Sequence, residues 1–218
     1  MAAGHTDPLP PRQSQHAGGR PPMSERRKAA FRLEIARSAV HLFTTRGVAA
    51  TTGEDIAEVL GISARTLWRY FPSKESCVRP LLTSKLDAFV ELLRECPREV
   101  ALTDFLAQAR LPDTDGFPAE ESVWELIRMT HSEPGLRAVW LQVHHEAETV
   151  LARFLAERAG GSSEDLEVRV QAGILNVALR VAAEERAWHG PGGDTTTDVW
   201  RRALLTAAAG LPAFGESG

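Results

Sequence analysis

Cysteine is nearly absent. The chain of 218 residues has two, Cys77 and Cys96, and both fall on one predicted helix. If that helix is continuous, nineteen residues at a rise of about 1.5 Å set them roughly 28 Å apart, so they cannot bridge. No disulfide framework is expected. No run of about 18 apolar residues occurs, which excludes a membrane-spanning helix. The first residues also lack the apolar segment of a signal peptide, so a cytoplasmic protein is expected. No stretch sustains the two-residue alternation of a strand, and no internal repeat is visible. A Gly-rich phosphate loop, a nucleophile elbow and a Cys–His signature are all missing, so neither enzyme activity nor a cofactor is expected. His144-His145 does not supply a metal site. Adjacent helical side chains diverge by about 100°, and the one partner at ligand spacing is Glu148, four residues after His144.

What is present is a folded protein with an unequal distribution of charge. A hydrophobic content of 43% is ordinary for a packed core. The first 24 residues stand apart, with five prolines and three glycines, and are expected to form a disordered tail. Residues 1–80 carry 12 Lys and Arg against 7 Asp and Glu, whereas residues 81–218 carry 13 against 22. A basic front on an acidic body points to a polyanionic partner for the front.

The remaining signals are helical, and the chain is expected to be all-α. Ala30, Phe31, Ile35, Ala39, Leu42 and Phe43 form one stripe over 27–46, stopped by Gly47. Thr51 or Thr52 caps a second helix with Glu54 and Asp55 in its first turn, ending at Gly61. Ser63 caps a third, which ends before Pro72, and Ser73 a fourth, from Lys74 to about Glu95. Pro80 lies seven residues into that fourth helix, which is expected to kink or break near Ser76 to Pro80. Further helices are expected near 99–110, 118–131, 135–159, 163–188 and 194–210. Their breaks are the Pro112–Pro118 loop, Pro134-Gly135, Gly160-Gly161 and the run Gly190–Gly193.

The segment "SARTLWRYFPSK", residues 63–74, follows a short glycine-containing turn, Gly61-Ile62-Ser63, so the second and third helices form a helix-turn-helix candidate. On a helical wheel Leu67 and Phe71 point inward, toward Ile56 and Leu60. Arg65 and Arg69 project opposite, with Thr66 and Tyr70 on one flank and Trp68 on the other. Two arginines four apart repel each other in water. A polyanion laid against them reverses that, and arginine is the commonest reader of guanine in the major groove. Lys74 is within reach of the DNA backbone.

Residues 35–75, "IARSAVHLFTTRGVAATTGEDIAEVLGISARTLWRYFPSKE", resemble the DNA-binding domain of TetR-family transcriptional regulators. The likeness rests on Ala39, Leu42-Phe43, Gly47, Thr51-Thr52, Ile56-Ala57, Gly61-Ile62-Ser63, Thr66-Leu67, Tyr70-Phe71 and Ser73-Lys74-Glu75. It implies that Thr66, Trp68 and Arg69 face the groove while Thr51 or Thr52, Tyr70 and Lys74 hold phosphates. Trp68 stands where the family usually has tyrosine, which leaves it apolar contact with a thymine methyl. Arg26, Arg27 and Lys28 precede the first helix, where such an arm can reach the neighbouring groove. On this resemblance residues 25–73 are the DNA-binding domain, 74–211 the ligand-binding and dimerisation domain, and 212–218 a flexible end. The expected partners are a palindromic operator, a second copy of the chain, and a small apolar effector that releases a repressor. A DNA-binding protein without a ligand and an all-α enzyme are the alternatives.

The body carries its own signals. AGILNVAL, residues 172–179, is apolar nearly all round, so one side should meet the core and the other a second copy. The interface is expected to use Gly173, Ile174, Val177 and Val181, with Trp200 and Leu204 of the last helix. Trp140, Val143 and Phe154 recur at helical spacing, with His144 beside them and Trp124, Ile127 and Met129 facing them. In TetR-like proteins such a stripe surrounds an effector cavity, which the fourth helix reaches through Phe89. The segment "LARFLAERAGGSSEDLEVRVQAGILNVALRVAAEERAW" resembles the C-terminal domain of TetR regulators associated with mycofactocin clusters, which implies an acyl-CoA-like effector.

Overall fold

The computed structural model describes residues 24–108, 120–189 and 196–210, and every regular element among them is helical. The expected Pro112–Pro118 loop, the Gly190–Gly193 run, the C-terminal end and all of the proline-rich tail except Ser24 lie outside the described residues.

The first three helices follow the sequence signals closely, except at the start of the first. Helix α1, Glu25–Arg46, starts where the Ser24 hydroxyl accepts the Arg27 N–H, and buries Ile35, Ala36, Ala39, Val40, Leu42 and Phe43. It begins before the expected residue 27 and takes Arg26, Arg27 and Lys28 into its first turn, instead of leaving them as an arm ahead of it. Helix α2, Gly53–Val59, is closed at its start by a reciprocal box. The Thr52 hydroxyl accepts the Asp55 N–H and the Asp55 carboxylate accepts the Thr52 N–H. Gly61 then takes a left-handed φ of 63°, a conformation glycine adopts without a Cβ clash, and the chain turns into α3, Ala64–Tyr70. The Ser63 hydroxyl accepts the Thr66 N–H at 3.1 Å and caps α3. Leu67, Phe71 and Ile56 are buried together, as the wheel requires.

The fourth helix, expected over 74–95 with a kink or break near Ser76 to Pro80, is divided into two elements. Residues Glu75–Val78 form a 3₁₀ turn, and α4 begins afresh at Arg79–Arg94. Ser73 and Ser76 pin that turn by exchanging hydrogen bonds, each backbone N–H donating to the other's hydroxyl. The break near Ser76 to Pro80 is therefore present. Pro80 itself stands in the first turn of α4, where its missing N–H costs no helical bond.

Helices α5 (Leu102–Gln108), α6 (Glu120–Ser132), α7 (Pro134–Ala159), α8 (Leu166–His189) and α9 (Thr196–Ala208) complete the body. Helices α7 and α8 run against each other along much of their length. Helix α9 lies on α8, α6 on both α7 and α8, and α4 bridges α1 to α7. Helix α5 starts later than expected because residues 97–100 form a turn instead. The Arg158 guanidinium holds that turn to α7 through the carbonyls of Cys96, Pro97, Arg98 and Val100. Both cysteines are free, and burial pushes the Cys77 thiol up to about 12.

Candidate functional site

Arg65 and Arg69 are exposed on α3, and neither has a carboxylate partner among the described residues. Arg69 rests its guanidinium on the Tyr70 ring, 5.3 Å from the centroid. Tyr70 meets Phe31 edge-on and carries Arg32 above its ring, so it ties α3 back to α1. The outward edge of this region is thus a row of guanidinium groups, Arg32, Arg65 and Arg69, on a framework fixed by Leu67 and Phe71 underneath.

Trp68 does more than face outward. Its indole lies so close over Gly53 that a Cβ there would meet the ring at 1.9 Å. The first residue of α2 is thus glycine because the indole occupies the space a side chain would take. The ring is still 40% exposed, so it offers an apolar face beside the arginines. Spacing in the sequence did not reveal this contact, which joins residues fifteen positions apart.

Two expected phosphate ligands are directed inward. Thr51 is fully buried and its hydroxyl donates to the Gly47 carbonyl at 2.8 Å, so it has no open path to DNA. Its neighbour Thr52 is exposed, with its hydroxyl committed to the α2 cap. The Lys74 ammonium donates to the carbonyls of Val48 at 2.6 Å and Thr51 at 2.8 Å. Lys74 therefore holds the α1–α2 turn that presents Thr52, and its charge is largely spent on protein. The Thr66 hydroxyl pairs with that of Ser63 at 2.9 Å.

In the body, Phe89, Trp124, Ile127, Trp140, Val143, His144 and Phe154 are all buried and Met129 is half-buried; their apolar members pack as one core. Running through this core is a polar seam between α7 and α8. His144 donates from Nδ1 to the Asn176 amide oxygen at 2.7 Å, and the Asn176 NH₂ donates to Glu148. Its Nε2 is left a buried lone pair with no donor, and burial holds the imidazole below its ordinary pKa. The Trp140 N–H donates to Glu184, which also takes Arg180.

A cavity of about 290 Å³ opens further down, between α4, α5, α7, α8 and α9. Leu93, Leu102, Leu106, Leu155 and Leu204 line it, with Gln171 and Arg201 as its polar groups. Of the residues expected around an effector, none borders this cavity. The reason is periodicity: a buried stripe on α7 looks the same whether it meets a void or a neighbouring helix. A second, open groove of about 670 Å³ runs along the packed pair α8 and α9. Gly173, Ile174, Val177 and Val181 line it, and the last three are between 45 and 47% exposed. Trp200 and Leu204 correct the expectation for α9. Both turn inward, Trp200 meeting Phe89 with ring centroids 5.7 Å apart, while Ala203, Thr206 and Gly210 border the groove.

Among the described residues no cluster of His, Cys, Asp and Glu could hold a metal, and no helix is long and apolar enough to cross a membrane.

Comparison with known proteins places this geometry. Residues 35–81 match the model for bacterial regulatory proteins of the tetR family, and residues 100–212 match the MftR C-terminal domain. The transcriptional regulator TcmR of Streptomyces glaucescens is 28% identical over 174 residues, covering 76% of each chain. The transcriptional repressor KstR2 of Rhodococcus jostii is 27% identical over 194 residues, covering 82% of this chain and 89% of its own. In fold, the chain is similar to FadR of Bacillus halodurans, a fatty acid degradation regulator. The two share 18% identity at a TM-score of 0.52, over 83% of this chain and 95% of that one. Thermus thermophilus FadR, solved with lauroyl-CoA, is 21% identical at a TM-score of 0.50, over 86% and 98%.

Proposed function

Because the chain belongs to the TetR family of DNA-binding transcriptional regulators, we propose that it is a dimeric repressor released from a palindromic operator by a small, largely apolar effector. The observation that carries the reading is the exposed Arg65–Arg69 line on α3, without a carboxylate partner among the described residues and backed by a fully buried Leu67. Guanidinium groups so placed suit the paired acceptors of guanine. In this reading residues 25–73 read DNA, residues 74–211 bind the ligand and the second copy, and the protein acts in the cytoplasm.

The exposed groove along α8 and α9 supports the dimer. Ile174, Val177 and Val181 form an apolar stripe beside the small residues Gly173, Ala178 and Ala182, and surfaces of this kind mark contact sites. A two-fold pairing there carries two copies of α3, for half-sites roughly 34–36 Å apart. The leucine-lined cavity supports the effector. Its walls suit an aliphatic chain, and Arg201 and Gln171 suit an acidic or carbonyl-bearing head, as an acyl-CoA-like molecule has. That KstR2, a relative along most of its length, is a repressor supports the sign of regulation.

Selection of bound sequences from a random DNA pool tests the reading. A single palindrome is expected, and Arg65→Ala or Arg69→Ala should relax particular base pairs by about 1–3 kcal/mol each. An unchanged sequence preference in both variants would remove α3 as the reading element. Ile174→Glu or Val177→Glu should sediment as monomers and lose the operator. A dimeric Val177→Glu protein would move the interface elsewhere.

A further inference from the structure

A third cavity has no part in this scheme. It measures about 220 Å³ and lies where the ends of α6 and α8 meet the first turn of α7. We infer that it binds a small aromatic anion, and that its occupancy bears on the DNA-reading end.

Its chemistry is unlike that of the leucine-lined cavity. Trp188 is 66% exposed, which is unusual for so large an apolar ring, and it rests obliquely on His131 with centroids 5.4 Å apart. The indole is thus braced by His131 while most of its surface stays open. Around it stand two arginines. Arg128 is fixed by the Ala187 carbonyl and Glu121, both at 3.0 Å. Arg137 is exposed and has no side-chain partner among the described residues. It sits in the first turn of α7, a helix of 26 residues whose N-cap, Glu133, makes no side-chain bond to the free N–H groups. The one carboxylate in the wall, Glu184, is already neutralised by Arg180 at 3.0 Å from both oxygens. The net result is a positive, partly aromatic pocket. A flat ring can stack on Trp188 while its carboxylate takes the Arg137 guanidinium. The volume is below that of ordinary ligand pockets, so the occupant has one or two rings.

The position gives the site leverage. Gly135, two residues before Arg137, packs so tightly on Glu75 that a Cβ there would lie 2.8 Å from the Glu75 side chain. Glu75 opens the 3₁₀ turn directly after the DNA-reading helices. An anion that draws the first turn of α7 toward α8 therefore acts on the contact that seats those helices. This goes beyond the aliphatic effector, and the binding half does not depend on DNA.

The test uses the full chain and 1-naphthoate, followed by calorimetry and tryptophan fluorescence without DNA. Saturable binding at one site per chain is expected. Arg137→Gln and Trp188→Leu should each weaken it by about tenfold or more, as should replacing the probe by the uncharged 1-naphthylmethanol. Both side chains are exposed, so folding should survive, which circular dichroism checks. Arg201→Gln, in the other cavity, should leave binding unchanged. No saturable binding in the wild type, because a second copy seals Trp188 or for any other reason, overturns the site. So does equal binding in the Arg137 and Trp188 variants, or a matching loss in Arg201→Gln. Naphthoate should then change operator affinity in the wild type and not in Arg137→Gln. Binding without that change overturns the coupling alone.

Discussion

The DNA-reading end and the α7–α8 body solve the same problem in opposite ways. Helices α2 and α3 have seven residues each, too short to persist on their own, and each is closed by a side-chain cap from Thr52 or Ser63. Helices α7 and α8 have 26 and 24 residues, and α7 lacks a side-chain cap altogether. Their polar groups bond across the helix pair instead, as His144–Asn176 and Trp140–Glu184. One region closes its helix starts with local hydrogen bonds within a few residues. The other is held by contacts between residues more than thirty apart. Short capped helices can therefore keep their shape as a unit while the body beneath them repacks around a ligand.

That contrast predicts a ranking of effects. Leu136 is fully buried at the start of α7, and Leu136→Ala should cost about 2–5 kcal/mol of global stability, read by urea unfolding. A cost below about 1 kcal/mol would mean that the body collapses around the deletion and is less tightly packed than described. Lys74→Ala should cost about 1.5–3 kcal/mol, because two carbonyls lose a charged donor. Its effect on DNA binding should appear as lower affinity with the salt slope nearly unchanged. A slope flattened by about one unit would instead return Lys74 to the phosphates. Thr52→Ala removes the cap of α2 and should cost about 1 kcal/mol, confined to the DNA-reading end by hydrogen exchange.

The smallest effect is expected in the seam. Burial lowers the His144 pKa, so the folded protein resists protonation there while the unfolded chain takes a proton near its ordinary value of 6.5. Stability is then complete above that value and falls as the pH drops below it toward the folded pKa. His144→Gln should flatten the decline between about pH 6.5 and 5 in thermal-melt profiles. A parallel decline in the variant would assign the acid sensitivity to other groups.

The same contrast explains what could be read in the sequence. Caps, glycine stops and the Arg65/Leu67 division of α3 are properties of neighbouring residues, so α1 to α3 were legible with their ends, apart from the start of α1. Contacts between helices leave no such local mark. The indole on Gly53, the Lys74 anchor, the inward turn of Trp200 and the position of the leucine-lined cavity all join distant residues. Thr51 and Thr52 were equal candidates because both can cap and both can hold phosphate. Only the fold shows that one faces the core. In the fourth helix Pro80 marks the break, but not its form as a 3₁₀ turn ahead of a fresh helix start. Helical spacing runs straight through residues 74–95, and the paired hydroxyls of Ser73 and Ser76 divide it.

That division makes the chain's length between Phe71 and Arg79 unforgiving. The 3₁₀ turn passes directly into α4, and Arg79 is clamped to Glu146 on α7 while Gly135 closes on Glu75. A residue inserted or deleted there would rotate everything before it by about 100–120° relative to the body. In a two-fold assembly both copies would swing, and neither α3 would keep its bearing on a common groove. The turn at 97–100 carries no such burden, because it joins two parts of the body and lies far along the chain from α3. Homologous chains should therefore vary in length around residues 97–101 and keep a fixed count between 71 and 79.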